Sequence, residues 1–513
     1  MSTAPGAALP NPAAALAALR RAVPNDAAGA TRAGLLAMQV DREEEAVPLL
    51  RQAAERHPRE ALLWQVFGLA ARNTGDLATA VEALTRARAL SPRDGRIAHG
   101  AARARLEAGL PAVDDFLAAR RLIPVDGPLL QGLAAARFAN GDVAGAIAEI
   151  EAVVQAQPLW LDGHATLARL RRMAGDADDL RSYRTAAARM PDNPAVWSAW
   201  LSTLALAERF GDLPGVVAEA RAAIGAHPAL DHFAAIAADE GGDHQAAGAY
   251  FDSLADSADP AGLAWRVRSL IHRGRIEEAG ALALRGAAVR GEGRALWPYV
   301  ALAWRMIGDA RWAWLEGDPA FVQVHDISDA LGDREVLAAR LRTLHIARDQ
   351  PLDQSVRKGT QTDGPLFARI EPEIVRLRNA IRGAVSRYID TLPPQDTSHP
   401  LLACPRTPIR FAGSWSVRLN DGGFHADHVH SHGWISSALY VSLPERLGGE
   451  RREGWLTLGA CERLVPSLPP FREIAPRPGT LVLFPSTMWH GTRPFDAGER
   501  LTVAFDVAQP RSL

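Results

Sequence analysis

The sequence predicts an α+β protein of two unlike parts, an α-solenoid of helical hairpins followed by a small antiparallel β-sandwich or jelly roll. Three observations predict it. Proline and glycine recur on a shared beat of about 34 residues through the first three fifths of the chain. The beat stops near residue 315, and short β-rich segments follow one long amphipathic helix. Histidine then concentrates, with four of the fifteen in the chain falling between residues 425 and 432.

A chain of 513 residues is long enough for several domains or for one domain and a repeat array. The composition divides it into a tail and first helix over 1–29, repeats over 30–320 and a β-rich domain over 321–513, with its core at about 405–510. Lys and Arg total 57 against 59 Asp and Glu, a balance that leaves no electrostatic footprint for nucleic acid or an anionic membrane. The apolar run Ala13–Leu19 is broken by Arg20 and Arg21, too short to span a bilayer, and no basic segment precedes it as in a signal peptide. Cys404 and Cys461 can build neither a disulfide framework nor a CxxC zinc site, which points to the cytoplasm.

Taken in order, the first element is the repeat. Prolines stand at Pro58, Pro92, Pro124, Pro158, Pro191 and Pro228, at spacings of 34, 32, 34, 33 and 37. Gly75, Gly109, Gly141, Gly175, Gly211, Gly242, Gly274 and Gly308 keep the same beat, at 34, 32, 34, 36, 31, 32 and 34. Glycine supplies the turn between two helices, and proline closes the second because it cannot continue it. One unit carries Trp64, Gly68, Ala80, Ala87 and Pro92, and neighbouring units keep Ala119–Pro124, Ala146–Pro158 and Ala186–Pro191. These residues resemble the tetratricopeptide repeat, strongly over about residues 30–230 and through the glycine spacing to about 315. Such units bury their apolar faces against one another and form a groove. The resemblance implies that the groove binds a protein or peptide; a spacer or self-association surface is the alternative.

After the beat stops, Ile370–Leu392 reads as one helix, with Ile370, Ile374, Leu377 and Ile381 on a stripe and Pro393 and Pro394 ending it. Pro372 falls in its first turn, where a missing N–H does no harm. Segments with β character follow at Phe411–Leu419, Trp434–Leu443, Trp455–Leu458, Thr480–Phe484 and Leu501–Val507. Turn residues separate them, among them Asn420-Asp421-Gly422-Gly423 and Arg477-Pro478-Gly479.

The histidines lie at His425, His428, His430 and His432, beside Asp427; His490 follows the apolar stretch Leu481–Trp489, and Arg500 comes ten residues later. Residues i and i+2 of a strand point to one face, so an H-x-(D/E/H) pair aims two ligands into a barrel mouth. A distant histidine completes a three-ligand face that leaves positions open for a co-substrate and O2, as in non-haem Fe(II) oxygenases.

Ser414-Trp415, His428-Val429-His430, Ser436–Pro444, Pro478–Pro485, His490-Gly491 and Arg500-x-Thr502 resemble the iron(II)/2-oxoglutarate-dependent dioxygenase superfamily. More narrowly they are similar to bacterial oxygenases fused to tetratricopeptide repeats, and Pro351–Thr362 is similar to the stretch ahead of their core. The resemblance covers about residues 345–510. It implies a double-stranded β-helix (jelly roll), an Fe(II) ion, O2, and 2-oxoglutarate that is decarboxylated to succinate as a substrate is hydroxylated. It also implies that Arg500 binds the far carboxylate of 2-oxoglutarate, with Thr502 as its hydrogen-bonding companion; a guanidinium fork suits a carboxylate.

Two registers compete for the metal. Counting back from Ser436–Val441 makes His428 the first ligand and His430 the second, with His490 as the third. The other pair is His425 and Asp427, a literal H-x-D of opposite strand parity. Three neutral imidazoles leave Fe(II) its full charge, which favours an anionic co-substrate and leaves Asp427 to support the site or play no part. His425 and His432 are then loop or supporting residues, and Tyr440 and Trp415 either line the pocket or fill the aromatic core. Two other readings stay open: a repeat-based scaffold with an inactive jelly roll, and a three-histidine cupin-type enzyme without 2-oxoglutarate, in which Arg500 serves an ion pair.

Overall fold

A computed structural model describes residues 11–23, 25–254, 260–289, 291–431, 433–445, 447 and 449–510. After a first helix, Pro12–Ala22, nine helical hairpins follow among these residues, from Ala27–Gln39 with Glu43–Arg56 to Trp297–Ile307 with Arg311–Leu315. The Gly-Asp pairs explain the turns. Gly75, Gly141 and Gly242 hold φ of 81°, 83° and 91°, a left-handed turn that glycine adopts without a Cβ clash. The aspartate that follows each caps the next helix, Asp76 accepting from Thr79 N–H, Asp142 from Gly145 N–H and Asp243 from Ala246 N–H.

The beat is more regular than the glycines alone suggest. Gly211 lies in a short 3-10 turn, and Glu208 takes the left-handed position of that hairpin with φ of 54°. Placing the mark at Glu208 turns the spacings of 36 and 31 into 33 and 34. Asp41, at φ of 59°, marks the first hairpin in the same way. Pro228 does not close a helix but opens Pro228–Glu240, at the position where a missing N–H is harmless. A polar ring six residues after a proline ties several units: Trp64 and Trp197 donate to the carbonyls of Pro58 and Pro191, and His164 Nε2 lies 3.0 Å from that of Pro158.

The C-terminal part is built of antiparallel strands β1 (Gln323–Asp326), β2 (Val356–Gln361), β3 (Phe411–His425), β4 (Gly433–Ser442), β5 (Leu456–Leu458), β6 (Arg472–Ile474), β7 (Thr480–Pro485), β8 (His490–Thr492) and β9 (Arg500–Ala508). They form a six-stranded sheet in the order β1-β7-β4-β9-β3-β2 and a three-stranded sheet in the order β6-β5-β8. Tyr440, Val482 and Phe484 of the large sheet pack with Leu456, Leu458 and Ile474 of the small one. The alternate residues Leu439, Leu481 and Leu483 face Ile374, Leu377 and Ile381 of the helix Pro372–Asp390. This is the expected jelly roll, with helices closing the outer face of its large sheet.

Two local differences matter. Strands β1, β2, β6 and β8 are short and partly polar, so no run of alternating residues marked them. Asn420–Gly423, expected as a turn between strands, lies within β3, where the register against β2 shifts between Arg357 and Gly359. A Cβ at Gly423 would stand 2.7 Å from the carbonyl of Asn420, so this bulge needs glycine. The bulge lets β3 continue to His425, opposite Val356.

The turns of the hairpins lie along the C-terminal part. Arg410 pairs with Asp41, Glu43 and Glu44, and Arg378 donates to the carbonyl of Gly75. A strap over residues 346–370 follows the array, with Arg348 N–H on Met173 O, Arg357 on Glu208 and Ile370 N–H on Ala108 O. Further on, Arg463 pairs with Glu208 and Glu240, and Trp489 donates to Pro298 O. Val267, Ile271, Tyr299 and Trp304 of the array share an apolar core with Cys461, Leu464, Val465 and Trp489. No helix among the described residues is long and apolar enough to cross a membrane.

Candidate metal centre

Three histidines meet where the chain leaves β3 and returns through β8. His428 and His490 exchange both backbone hydrogen bonds, at 2.9 and 3.0 Å, and His430 N–H donates to Ser486 O at 3.0 Å. One ring nitrogen from each of His428, His430 and His490 lies within 4.8 Å of the other two. Their other nitrogens are engaged. Nδ1 lies 2.8 Å from Ala426 O in His428, 2.9 Å from Met488 O in His490 and 2.7 Å from Asp506 Oδ1 in His430. These oxygens only accept, so each Nδ1 carries a proton, and in the neutral ring Nε2 then keeps the lone pair. Burial holds His428 and His490 well below the ordinary imidazole pKa, with the neighbouring imidazoles adding to the effect. Neutral rings with free lone pairs are what a divalent metal requires.

The other pair is placed differently. Residues 426–431 are not a regular strand, so strand parity does not govern where they point. Asp427 turns toward the loop at Cys461, where its Oδ2 accepts the Glu462 N–H at 2.8 Å. His425 ends β3, its Nδ1 3.1 Å from Ser355 Oγ, and that hydroxyl also lies 3.2 Å from His428 Nε2. Burial, and then the charge of Arg500, push the His425 pKa down to about 3, so its ring is neutral. His432 lies outside the described residues.

Arg500 lies on β9, 2% exposed, its guanidinium carbon 5.3 Å from the centre of the Tyr440 ring. Its Nε and Nη1 are buried and have no hydrogen-bond partner. A buried cation with unmet donors is costly unless an anion meets it, and a carboxylate matches the fork. Together, three lone pairs and an unmet guanidinium fit an Fe(II) ion and an anionic co-substrate. Thr502 is not hydrogen-bonded to Arg500 here; its Oγ1 lies 3.5 Å from Val417 O. Tyr440 is fully buried under Arg500 within the inter-sheet core, while half-buried Trp415 lies 5.5 Å from the His430 ring.

The sequence reading did not single out Asp506, and it took Ser436 and Ser355 only as members of the stretches Ser436–Pro444 and Pro351–Thr362. Asp506 Oδ1 also accepts from Ser436 Oγ at 2.5 Å, so two groups orient it. Its signal was the alternation Arg500-x-Thr502-x-Ala504-x-Asp506, which places all four on one face of β9. Ser355 carried no such signal, because only the course of the strap brings it to His428.

Residues 413–506 match the family model described as "Putative 2OG-Fe(II) oxygenase", a span that includes His425, His428, His430, His490, Arg500 and Asp506. Protein FlbA of Caulobacter vibrioides is 32% identical over 90 residues, 18% of this chain. That match spans 15% of its length. Similar solved structures include MamA from Desulfovibrio magneticus, 18% identical over 33% of this chain and 99% of its own, with a TM-score of 0.29. YrrB, described as a TPR protein with an unusual peptide-binding site, is 16% identical over 35% of this chain and 95% of its own, with a TM-score of 0.29. A tetratricopeptide repeat protein of Parabacteroides merdae is 14% identical over 44% and 91%, with a TM-score of 0.28.

Proposed function

We propose that this chain, which joins a 2OG-Fe(II) oxygenase-like domain to tetratricopeptide-like repeats, is an iron(II)- and 2-oxoglutarate-dependent hydroxylase. The observation that carries the reading is the cluster of three histidines at β8 together with a buried guanidinium on β9 whose Nε and Nη1 have no partner. His428, His430 and His490 would hold the iron, and Arg500 the far carboxylate of the co-substrate. When bound, iron and 2-oxoglutarate supply O2 activation, with decarboxylation to succinate and transfer of oxygen to a C–H bond of the substrate.

The chain's own residues do the rest. Ala426 O and Met488 O fix the imidazoles of His428 and His490 in the tautomer that offers Nε2 outward. Asp506 fixes His430 and places a negative charge one hydrogen bond behind it. This offsets part of the charge that three neutral ligands leave on the metal. His425 and Tyr440 border Arg500 without pairing its charge, so the guanidinium keeps its attraction for a carboxylate. The repeat array, fixed along the domain, suits a protein or peptide substrate.

The test is anaerobic addition of Fe(II) and 2-oxoglutarate to the full chain, watching for the visible charge-transfer band of their chelate. The band is expected in the unaltered protein and in His425→Ala, and lost in His428→Ala and His490→Ala. Loss in His425→Ala with retention in His428→Ala moves the metal to the His425/Asp427 pair. The absence of a carboxylate among the three ring ligands favours one second reading, a three-histidine enzyme without 2-oxoglutarate. In that case Arg500→Ala leaves activity unchanged, and calorimetry detects no 2-oxoglutarate binding.

A further inference from the structure

We propose that Asp239, His244 and His272 form a second site, inside the repeat array, for a divalent transition metal of the zinc class. Asp239 stands in the last turn of the helix Pro228–Glu240, and His244 opens the helix His244–Ser253. Gly242, at φ of 91°, turns the chain between them so that His244 folds back beside Asp239. His272 ends the helix Pro260–His272, and the repeat offset carries it alongside Asp239 from the next hairpin. The three residues therefore meet because the hairpin turn and the repeat period both deliver them there.

Asp239 is 2% exposed, and each carboxylate oxygen faces a different ring nitrogen, His244 Nδ1 at 3.0 Å and His272 Nδ1 at 2.9 Å. The two rings lie 4.7 Å apart, and one ligand atom from each of the three residues falls within 4.8 Å of the others. Ligand atoms about 2.0–2.1 Å from a tetrahedral zinc stand roughly 3.3 Å apart, so an entering metal would draw these three groups together from within the 4.8 Å that they span. His244 is partly exposed, which leaves an entry path and a fourth position for water.

Other turns solve the same packing problem with arginine. Arg72 pairs with Glu107 across two hairpins at 2.5 Å, and Arg209 with Asp179 at 2.8 Å. Arginine makes the stronger clamp and offers no lone pair. Among the described residues this turn alone gathers two imidazoles on one buried carboxylate, a donor set suited to a metal rather than to a plain ion pair. The next residue, Glu240, pairs with Arg268 and Arg463, and Glu462 N–H holds Asp427 beside His428. A metal here would stiffen the seam between the array and the candidate centre.

The experiment uses the full chain carrying His428→Ala and His490→Ala, stripped with a chelator and titrated with Co2+ alone. One equivalent should bind, with visible d–d bands, and Zn2+ should displace it. Adding His244→Gln or His272→Ala should weaken that binding at least tenfold. Far-UV circular dichroism controls for folding, and His244→Gln, at a partly exposed position, keeps the test alive if His272→Ala fails to fold. No bound Co2+ in the parent double variant, or binding that neither added substitution changes, overturns the proposal. Because two of the three histidines of the candidate centre are replaced throughout, its failure is separate from that of the oxygenase reading.

Discussion

Asp506 stands 2.7 Å behind His430 rather than beside it, so its carboxylate can polarise the ring without occupying a metal position. Asp506→Asn removes the charge and keeps the shape. It should weaken Mn2+ or Co2+ binding at the three histidines about 10–100-fold, measured by calorimetry, with little change in fold. Arg500→Ala should abolish 2-oxoglutarate binding while metal binding persists, and Arg500→Lys should restore it only in part, because an ammonium lacks the planar fork. At this scale the three histidines that meet and the buried Arg500 were legible because histidine is scarce in this chain and their spacing is chemical. Asp506 and Ser355 were not, since an aspartate in a strand and a serine in a loop look ordinary until the fold brings them to a ring nitrogen.

Single elements carry a second kind of consequence. At Gly75 a Cβ would meet nothing within 4 Å, so only the left-handed backbone opposes a side chain there. Gly75→Ala should therefore cost about 1 kcal/mol in urea unfolding, with contacts unchanged. The hairpins were legible because glycine, aspartate and proline mark each turn, but the marks failed where Asp41 and Glu208 accept the strained conformation instead. Strand β3 was read too short for the opposite reason, since its bulge uses the residues that usually end a strand. After the helix Arg311–Leu315, Glu316 is buried, with Oε2 accepting from Trp312 Nε1. Burial pushes its pKa up to about 7. The folded state thus holds this proton more tightly than the unfolded one, so stability is full below about pH 4.5 and falls as pH rises through 7. Glu316→Gln should flatten that fall and stabilise the protein at pH 8 by on the order of 3 kcal/mol, read from thermal unfolding at several pH values.

At the scale of the whole molecule, the array is fastened rather than tethered. Arg410 holds Asp41, Glu43 and Glu44 together, and Glu43 is buried. Arg410→Ala would strand a buried carboxylate among like charges, a loss on the order of 3 kcal/mol. Faster hydrogen exchange in the turn at residues 41–45 should report it. The apolar core shared by the array's last hairpins and the loop at Cys461–Val465 also predicts that heating gives one transition, not two. None of this fastening was visible beforehand. Arginines 357, 378, 410 and 463 look like ordinary surface charge in a chain rich in arginine, and only the curvature of the array assigns their partners.

Open-ended solenoids can gain or lose a unit, because each unit meets only its neighbours. Here the turn edge meets the same domain at Asp41, Gly75, Ala108, Met173, Glu208 and Glu240. Deleting one hairpin would put every later turn out of step with its anchor. The circumference of the jelly roll and its strap thus meters the length of the array, and insertions should be tolerated in the free loops but not in whole repeats.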